Sequence, residues 1–464
     1  MPSTFTAPLI IALFMQESIV SRQLVHFDEA RHLAHTLLKS LVETHTPIER
    51  AVLIADLFGK LRVVLWGPET AVNPVRERLL ELKESAAPWW SGDVWLGDSG
   101  TDTDRLIYRR AWDEAEEVGD SGRFRILERH RTRGAWSIDI EEVIWSAPGS
   151  ESPSGPPVVV FYSFKGGLGR STALAAFAIQ RARLGERVVV VDFDLDAPGI
   201  GGLLSVDGEG RTAAWGCIDY LLERPFGPVP IDDYYHVCRR EPITGRGEIF
   251  VVPSGRLNDD YLPKLARLDL EPPPETNRLP LLTMLDDLRH HISPAWILLD
   301  ARTGFSESAG LLLSGFAHLH VLFAALSEQN WEGLRRILRR LGASRLLRER
   351  SQAECLLVQS MVTNHPELAK MAVERFRSKA QDEFSENYYA EAPSPPEEDR
   401  LWHVGDLDSE DAPHVPISLT YEPRLTTFGD LADVADFLAE SPDYRRLGDR
   451  ISSRFADISE EDPA

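Results

Sequence analysis

Residues Val158–Thr172 read VVVFYSFKGGLGRST: an apolar run, a glycine-rich turn, then the opening of a helix. An unbroken apolar run of this kind is a strand buried on both faces. A strand that passes straight into a helix begins a βα unit. Repeated further along the chain, such units imply a mostly parallel sheet covered by helices on both faces. The turn itself constrains more. Gly166, Gly167 and Gly169 permit a tight bend whose backbone N–H groups converge on one point. The first helical turn, Arg170–Ser171–Thr172, adds unpaired N–H donors and the positive end of its dipole. A basic side chain and a hydroxyl stand where a triphosphate and its Mg²⁺ would lie.

Two residues depart from the common phosphate-loop pattern G-x-x-x-x-G-K-[ST]. Arg170 replaces the helix-start lysine, and Lys165 precedes the glycines. Lys165 ahead of Gly-Gly resembles the deviant Walker A motif of the MinD/ParA family of dimeric ATPases. The arginine is similar to that of the bacterial branch whose motif reads KGGVGR. The resemblance implies that Gly166, Gly167, Leu168, Gly169, Arg170, Ser171 and Thr172 bind nucleotide. In it Ser171 ligates Mg²⁺, Thr172 touches the α-phosphate and Arg170 takes the place of the family lysine. Lys165 then reaches across a two-fold interface to the other subunit's phosphates.

Further segments follow in the family's order. Arg187–Leu204 (RVVVVDFDLDAPGIGGLL) is a second buried strand ending in Asp192, Asp194 and Asp196. Three acids at one strand end repel unless a cation or polar ligand neutralises them. By resemblance, Asp192 joins the metal shell through water, Asp194 orients the attacking water, and Asp196 is its substitute. Gly247–Gly255 (GEIFVVPSG) is a third strand. Pro294–Gly310 (PAWILLDARTGFSESAG) resembles Walker B and delivers Asp300 to the sheet edge as a second metal-shell carboxylate. Arg302 in the following D-A-R-T-G string has three readings: a phosphate contact, a partner contact or a surface salt bridge. His320–Leu326 is a fifth strand, followed by a helix from Asn330. A sixth strand ends near Asn364, where the family binds the adenine base. Val415–Leu425 matches the strand and loop that close the pocket. The resemblance covers about Pro157 to Phe455, and helix Ser171–Leu184 ends at Gly185 as its C-terminal glycine.

Composition bounds the rest. Hydrophobic residues make up 43% of 464, enough for sizeable cores and against a disordered chain. Cys217, Cys238 and Cys355 are scattered, which points to a reducing compartment with neither disulfides nor a zinc site. The apolar run Pro8–Met15 is too short to span a bilayer and reads as a first strand. The expectation is a cytoplasmic protein with no membrane contact, and the acidic tail ISSRFADISEEDPA repels anionic lipid. A net charge of −23 disfavours nucleic acid. The local exception is Arg335, Arg336, Arg339, Arg340, Arg345, Arg348 and Arg350, a DNA-facing stripe or, as the favoured reading, a helix face paired with acids.

Two composition breaks set the organisation. Ser146–Pro157 (SAPGSESPSGPP) is a linker, with an α/β domain of residues 1–145 before it and the ATPase domain, 158–455, after it. Residues 456–464 form the acidic tail, and Glu391–His414 is a Pro- and acid-rich loop. The N-terminal region shows strand-like runs at Leu9–Met15, Leu61–Trp66, Val94–Leu96 and Arg123–Leu127. Its helix-like stretches are Phe27–Glu43, Pro47–Phe58, Val75–Glu84 and Arg105–Val118. His26, His32 and His35 lack acidic or cysteine partners for a metal. Trp66, Trp89, Trp90, Trp95, Trp112, Trp136 and Trp145 crowd this region, which reads as a partner or signal adaptor.

The resemblance implies an ATP-binding, ATP-hydrolysing switch that forms a homodimer around Mg-ATP and signals to a protein partner, like the ATPases found with bacterial signalling or defence modules. Guanidinium is planar and bulkier than ammonium, so Arg170 implies slow turnover. That leaves a nucleotide sensor without hydrolysis, and a partition-like DNA or partner scaffold, as alternatives. Adenine against guanine selectivity stays open.

Overall fold

The computed structural model describes residues 25–44, 48–119, 121–129, 134–136, 144–145, 155–270, 278–347, 354–390 and 402–455. The expected strand Leu9–Met15, the tail 456–464, residues 146–154 and residues 391–401 lie outside them. The chain divides into two compact units, Met1–Thr132 and Arg133–Ala464.

In the first unit, β1 (Arg50–Ala55), β2 (Leu61–Trp66), β3 (Trp90–Leu96), β4 (Glu116–Glu117) and β5 (Phe124–Glu128) form one sheet in the order β3-β2-β1-β5-β4. Strand β1 runs antiparallel to β2 and parallel to β5. The sequence suggests a helix over Pro47–Phe58, and this is corrected: Ala51–Ala55 is strand, buried at every position. Ala51, Leu53 and Ala55 join the core formed with helices Phe27–Thr44 and Glu69–Leu79. Val52 and Ile54 join the opposite core, to which Ala111 of helix Asp102–Asp113 contributes. A strand covered on both faces loses its alternation, so a short apolar run carries no period to read. Helix Phe27–Thr44 is as expected, with Ala30, Ala34, Leu38, Leu41 and Val42 on one buried stripe. Helix Asp102–Asp113 starts earlier than expected because Thr101 caps it. The Asp104 N–H donates to Thr101 Oγ1 at 3.2 Å, and the Thr101 N–H donates to Asp104 Oδ2 at 2.8 Å.

The second unit holds β6 (Val158–Ser163), β7 (Arg187–Phe193), β8 (His236–Cys238), β9 (Glu248–Val252), β10 (Trp296–Ala301), β11 (Leu319–Ala324), β12 (Glu354–Val362) and β13 (Ile417–Thr420). Their order is β13-β12-β11-β6-β10-β7-β9-β8. Every pairing is parallel except β8 with β9. Val158, Val160 and Tyr162 of β6 enter a core with helices Pro280–Ile292, Glu328–Leu347 and Pro366–Asn387. Val159 and Phe161 enter the opposite core with helices Arg170–Arg183 and Pro442–Ser453. The α/β class with helices on both faces is thus as the sequence implies. Gly185, at φ +89°, follows the glycine-turn helix and donates its N–H to Ala182 O at 2.8 Å.

Trp136 and Trp145 pack within this second unit. Trp136 Nε1 donates to Ser306 O at 2.7 Å, and Trp145 Nε1 donates to Pro156 O at 2.8 Å. His318 Nδ1 accepts the Val158 N–H at 2.9 Å while its Nε2 lies 2.9 Å from Trp145 O, so the ring pins the start of β6. No helix among the described residues is long and apolar enough to cross a membrane.

Candidate nucleotide site

Parallel pairing sets β6, β10 and β7 side by side with their carboxyl ends level. Asp300 is in register with Phe161 on one side and Asp192 on the other. The side chains that end these strands therefore converge on the loop Phe164–Gly169. That loop leaves β6 through Gly167 at φ +77° and Gly169 at φ +74°, and Gly169 is the N-cap of helix Arg170–Arg183. A Cβ built on Gly166, Gly167 or Gly169 meets nothing within 4 Å, so open space faces the turn. The backbone there is a concave run of N–H groups at a helix N-terminus, which suits an anion. Leu168 is buried and tethers the turn to the core, while Gly166, Gly167 and Gly169 stay exposed. Ser171 and Thr172 are half-buried at the helix start.

Arg170 is drawn inward. Its Nε donates to Asp300 Oδ1 at 2.6 Å and its Nη2 to Asp194 Oδ2 at 3.0 Å. Arg170 is 8% exposed and Asp300 1%. Burial works against the guanidinium charge, but Asp300 and Asp194 outweigh it and hold its pKa above the ordinary value. Burial pushes the Asp300 carboxyl up, and Arg170 and Ser171 pull against that. Ser171 Oγ donates to Asp300 Oδ2 at 2.6 Å, which turns the hydroxyl's lone pairs away from the acid.

Asp192, beside Asp300 in the sheet, is held by the turn that follows β7. Its Oδ2 accepts from the N–H groups of Gly199 at 3.0 Å and Gly201 at 3.1 Å, and Oδ1 has no partner in the chain. It lines a cavity of about 560 Å³ shared with Gly202, Arg211, Ser254 and Arg256. Burial and the neighbouring Asp300 push its pKa up to about 7. Arg302 gathers the remaining acids: its Nη1 lies 3.3 Å from Asp194 Oδ1 and its Nε 3.3 Å from Asp196 Oδ2. Arg302 thus makes the salt bridge that is one of its three sequence readings. Lys165 is half-buried, its Nζ 5.4 Å from the Phe164 ring centroid, and Ser163 Oγ donates to its carbonyl at 2.8 Å.

Asn364 stands in the exposed loop after β12, where its amide nitrogen donates to Tyr421 O at 2.9 Å and joins the β12 and β13 loops. The arginines of helix Glu328–Leu347 turn largely onto the chain itself. Arg335 pairs with Glu383, Arg339 donates to Asn387 Oδ1 at 2.6 Å, and Arg340 bonds the carbonyls of Leu313, Ala135 and Trp136. The side chain of Arg345, and Arg348 and Arg350, lie outside the described residues. Sequence reasoning missed the glycine N–H pair that holds Asp192 and the partners, Asp194 and Asp196, of the Arg302 bridge. The glycines of Pro198–Gly202 were the readable signal for the first.

Among the described residues no group of three or more His, Cys, Asp or Glu could hold a metal ion by itself. A serine hydroxyl beside one buried carboxylate, next to an anion cradle, instead fits Mg²⁺. That ion takes few protein ligands and draws the rest from water and phosphates.

The fold of the second unit is an α/β sheet, parallel but for β8, with a glycine turn and a helix N-terminus at its carboxyl edge. The solved structures to which the chain is similar are MinD/ParA-type proteins. A ParA of pNOB8 bound to nonspecific DNA is 15% identical, covering 64% of this chain and 98% of its own, with a TM-score of 0.42. Apo McdA of Cyanothece is 13% identical over 64% of this chain and 98% of its own, at 0.43. The cell-division ATPase MinD of Pyrococcus furiosus is 17% identical over 64% and 98%, at 0.40. No family model and no curated protein matches this chain.

Proposed function

We propose that this chain is an ATP-binding switch of the KGGVGR type that hydrolyses ATP slowly, pairs with a second copy around Mg-ATP and signals to a protein partner. The supporting observation is the convergence of an open glycine cradle, Ser171 and buried Asp300 at one sheet edge, with Ser171 and Asp300 bonded at 2.6 Å. In this reading the backbone of Gly166–Gly169 cradles phosphate. Arg170 exchanges an acid for a phosphate oxygen, and Thr172 touches the α-phosphate. Ser171 would ligate Mg²⁺, with Asp300 and Asp192 behind it through water; the ion supplies charge neutralisation of the phosphates. Asp194 orients the water whose oxygen joins the γ-phosphorus as the bond to the bridging β-oxygen breaks, giving ADP and phosphate. Asp196 is the substitute for that role.

Lys165 stands outside the Arg170 cluster, its ammonium over the Phe164 ring, and in this reading it serves the partner copy's phosphates. Asn364 faces the base. The N-terminal unit, Met1–Thr132 in the fold where the sequence proposes 1–145, carries the contact to the signalling or defence partner in this reading, with 146–157 and 158–455 kept as the proposed linker and ATPase limits. Cytoplasmic placement belongs to the same proposal. A second reading, a sensor that does not hydrolyse, draws on the double engagement of Asp194 by Arg170 and Arg302.

Sedimentation with ATP, ADP or no nucleotide tests the switch. Mass should double with ATP alone, and Lys165→Ala should abolish the doubling. A single sedimenting mass under all three conditions sinks the dimer.

A further inference from the structure

Two arginines divide the Asp194 carboxylate between them. Oδ2 accepts from Arg170 Nη2 at 3.0 Å. Oδ1 accepts from Arg302 Nη1 at 3.3 Å and from the Ala197 N–H at 3.2 Å. As it stands, each oxygen is already engaged. The two arginines are not equivalent, however. Arg170 begins the helix behind the glycine turn, so a bound triphosphate competes with Asp194 for its guanidinium. Arg302 follows β10 directly and holds the other oxygen, while its Nε is anchored 3.3 Å from Asp196 Oδ2. Its side chain is 31% exposed, against 9% for that of Arg170. One side chain thus ties the end of β10 to the acid loop after β7.

We propose that Arg302 is a positioning residue for ATP hydrolysis. When phosphate takes Arg170, Arg302 keeps Oδ1 of Asp194 fixed and leaves Oδ2 free to accept an O–H of the attacking water. The water oxygen bonds to the γ-phosphorus, the bridging P–O bond to the β-phosphate breaks, and the water proton leaves with the phosphate product. Asp196 acts here by bracing Arg302. The inference rests on reading the chain as an ATP hydrolase.

The test uses the full chain as wild type, Arg302→Ala, Arg302→Lys and Asp196→Asn, with phosphate release measured beside equilibrium binding of AMPPNP plus Mg²⁺. Arg302→Ala should lower kcat about 10- to 100-fold, as loss of orientation does, with AMPPNP affinity held within about threefold. Arg302→Lys should recover part of the rate, and Asp196→Asn should fall between the two. A readout apart from turnover is nitrogen-15 NMR of the arginine Nε–H groups. The Arg302 signal, assigned by its loss in Arg302→Lys, should persist when AMPPNP is added, while that of Arg170 shifts. An Arg302→Ala enzyme with wild-type kcat, an equal loss of rate and affinity, or an Arg302 signal lost on AMPPNP binding overturns the positioning role. Wild type that binds AMPPNP but releases no phosphate also overturns it and leaves the sensor reading. Wild type that binds no triphosphate overturns both this inference and the proposed function.

Discussion

At Arg170 one buried cation faces two acids, and the balance depends on all three being present. Arg170→Ala would leave Asp300, 1% exposed, without its counter-charge. Breaking a buried pair from one side costs about 3–5 kcal/mol, so chemical denaturation should show a loss of that order. Lys165 is the contrast. Its ammonium rests over the Phe164 ring and is half-buried, so Lys165→Ala should change stability by less than about 0.5 kcal/mol while removing ATP-dependent association. Denaturation curves that move equally for the two variants would contradict this division. His318 makes a separate case. Burial lowers its pKa to about 4, against 6.5 for an exposed imidazole. The unfolded chain therefore binds more protons between those values. Stability from this group is complete above pH 6.5 and drains away as pH falls toward 4, by on the order of 3 kcal/mol. His318→Gln keeps an acceptor for the Val158 N–H and a donor for Trp145 O, and should flatten that part of the stability–pH curve. An unchanged slope means that His318 is not held neutral in the fold.

The glycine turn shows how an element can be read from sequence when backbone geometry is demanding. Gly167 and Gly169 hold positive φ, which a Cβ resists by about 1–2 kcal/mol, although the space around them is open. Gly169→Ala should therefore lose about that stability and weaken AMPPNP binding. Gly166→Ala, in open space and without positive φ, should leave the stability near wild type. Equal losses at both positions would place the cause outside the backbone angle. The same logic explains which elements were legible. Strands β6, β7 and β10 are central and covered on both faces, so they appear as apolar runs ending in the acids or glycines of the candidate site. The same two-sided burial hid β1, because AVLIA offers no alternation to tell strand from helix. Strand β8 has three residues and owes its existence to antiparallel pairing with β9, a partner that no local pattern announces. The Arg302 bridge joins the ends of two strands more than a hundred residues apart, so only the folded sheet brings its partners together.

Each unit of the molecule has its own apolar cores. Leu38, Leu53, Val63 and Phe124 lie in one core of the first, and Val160, Leu299, Leu322 and Trp331 lie in one core of the second. The cradle, Ser171, Asp300, Asp194 and Arg302 all belong to the second unit. Ligand that binds only the folded form stabilises what it touches, by about 2.7 kcal/mol at a concentration one hundred times Kd. Scanning calorimetry of the whole chain should therefore resolve two transitions, since two units with separate cores unfold. AMPPNP with Mg²⁺ should raise only the transition of Arg133–Ala464, which can be assigned with that unit expressed alone. Arg302→Ala should preserve the shift, because its role is orientation after binding, whereas Gly169→Ala should diminish it. If both transitions rise together, nucleotide is felt by the first unit as well, and the partner-facing role proposed for that unit gains a thermodynamic link to the site. If neither rises with saturating AMPPNP, the cradle does not bind triphosphate.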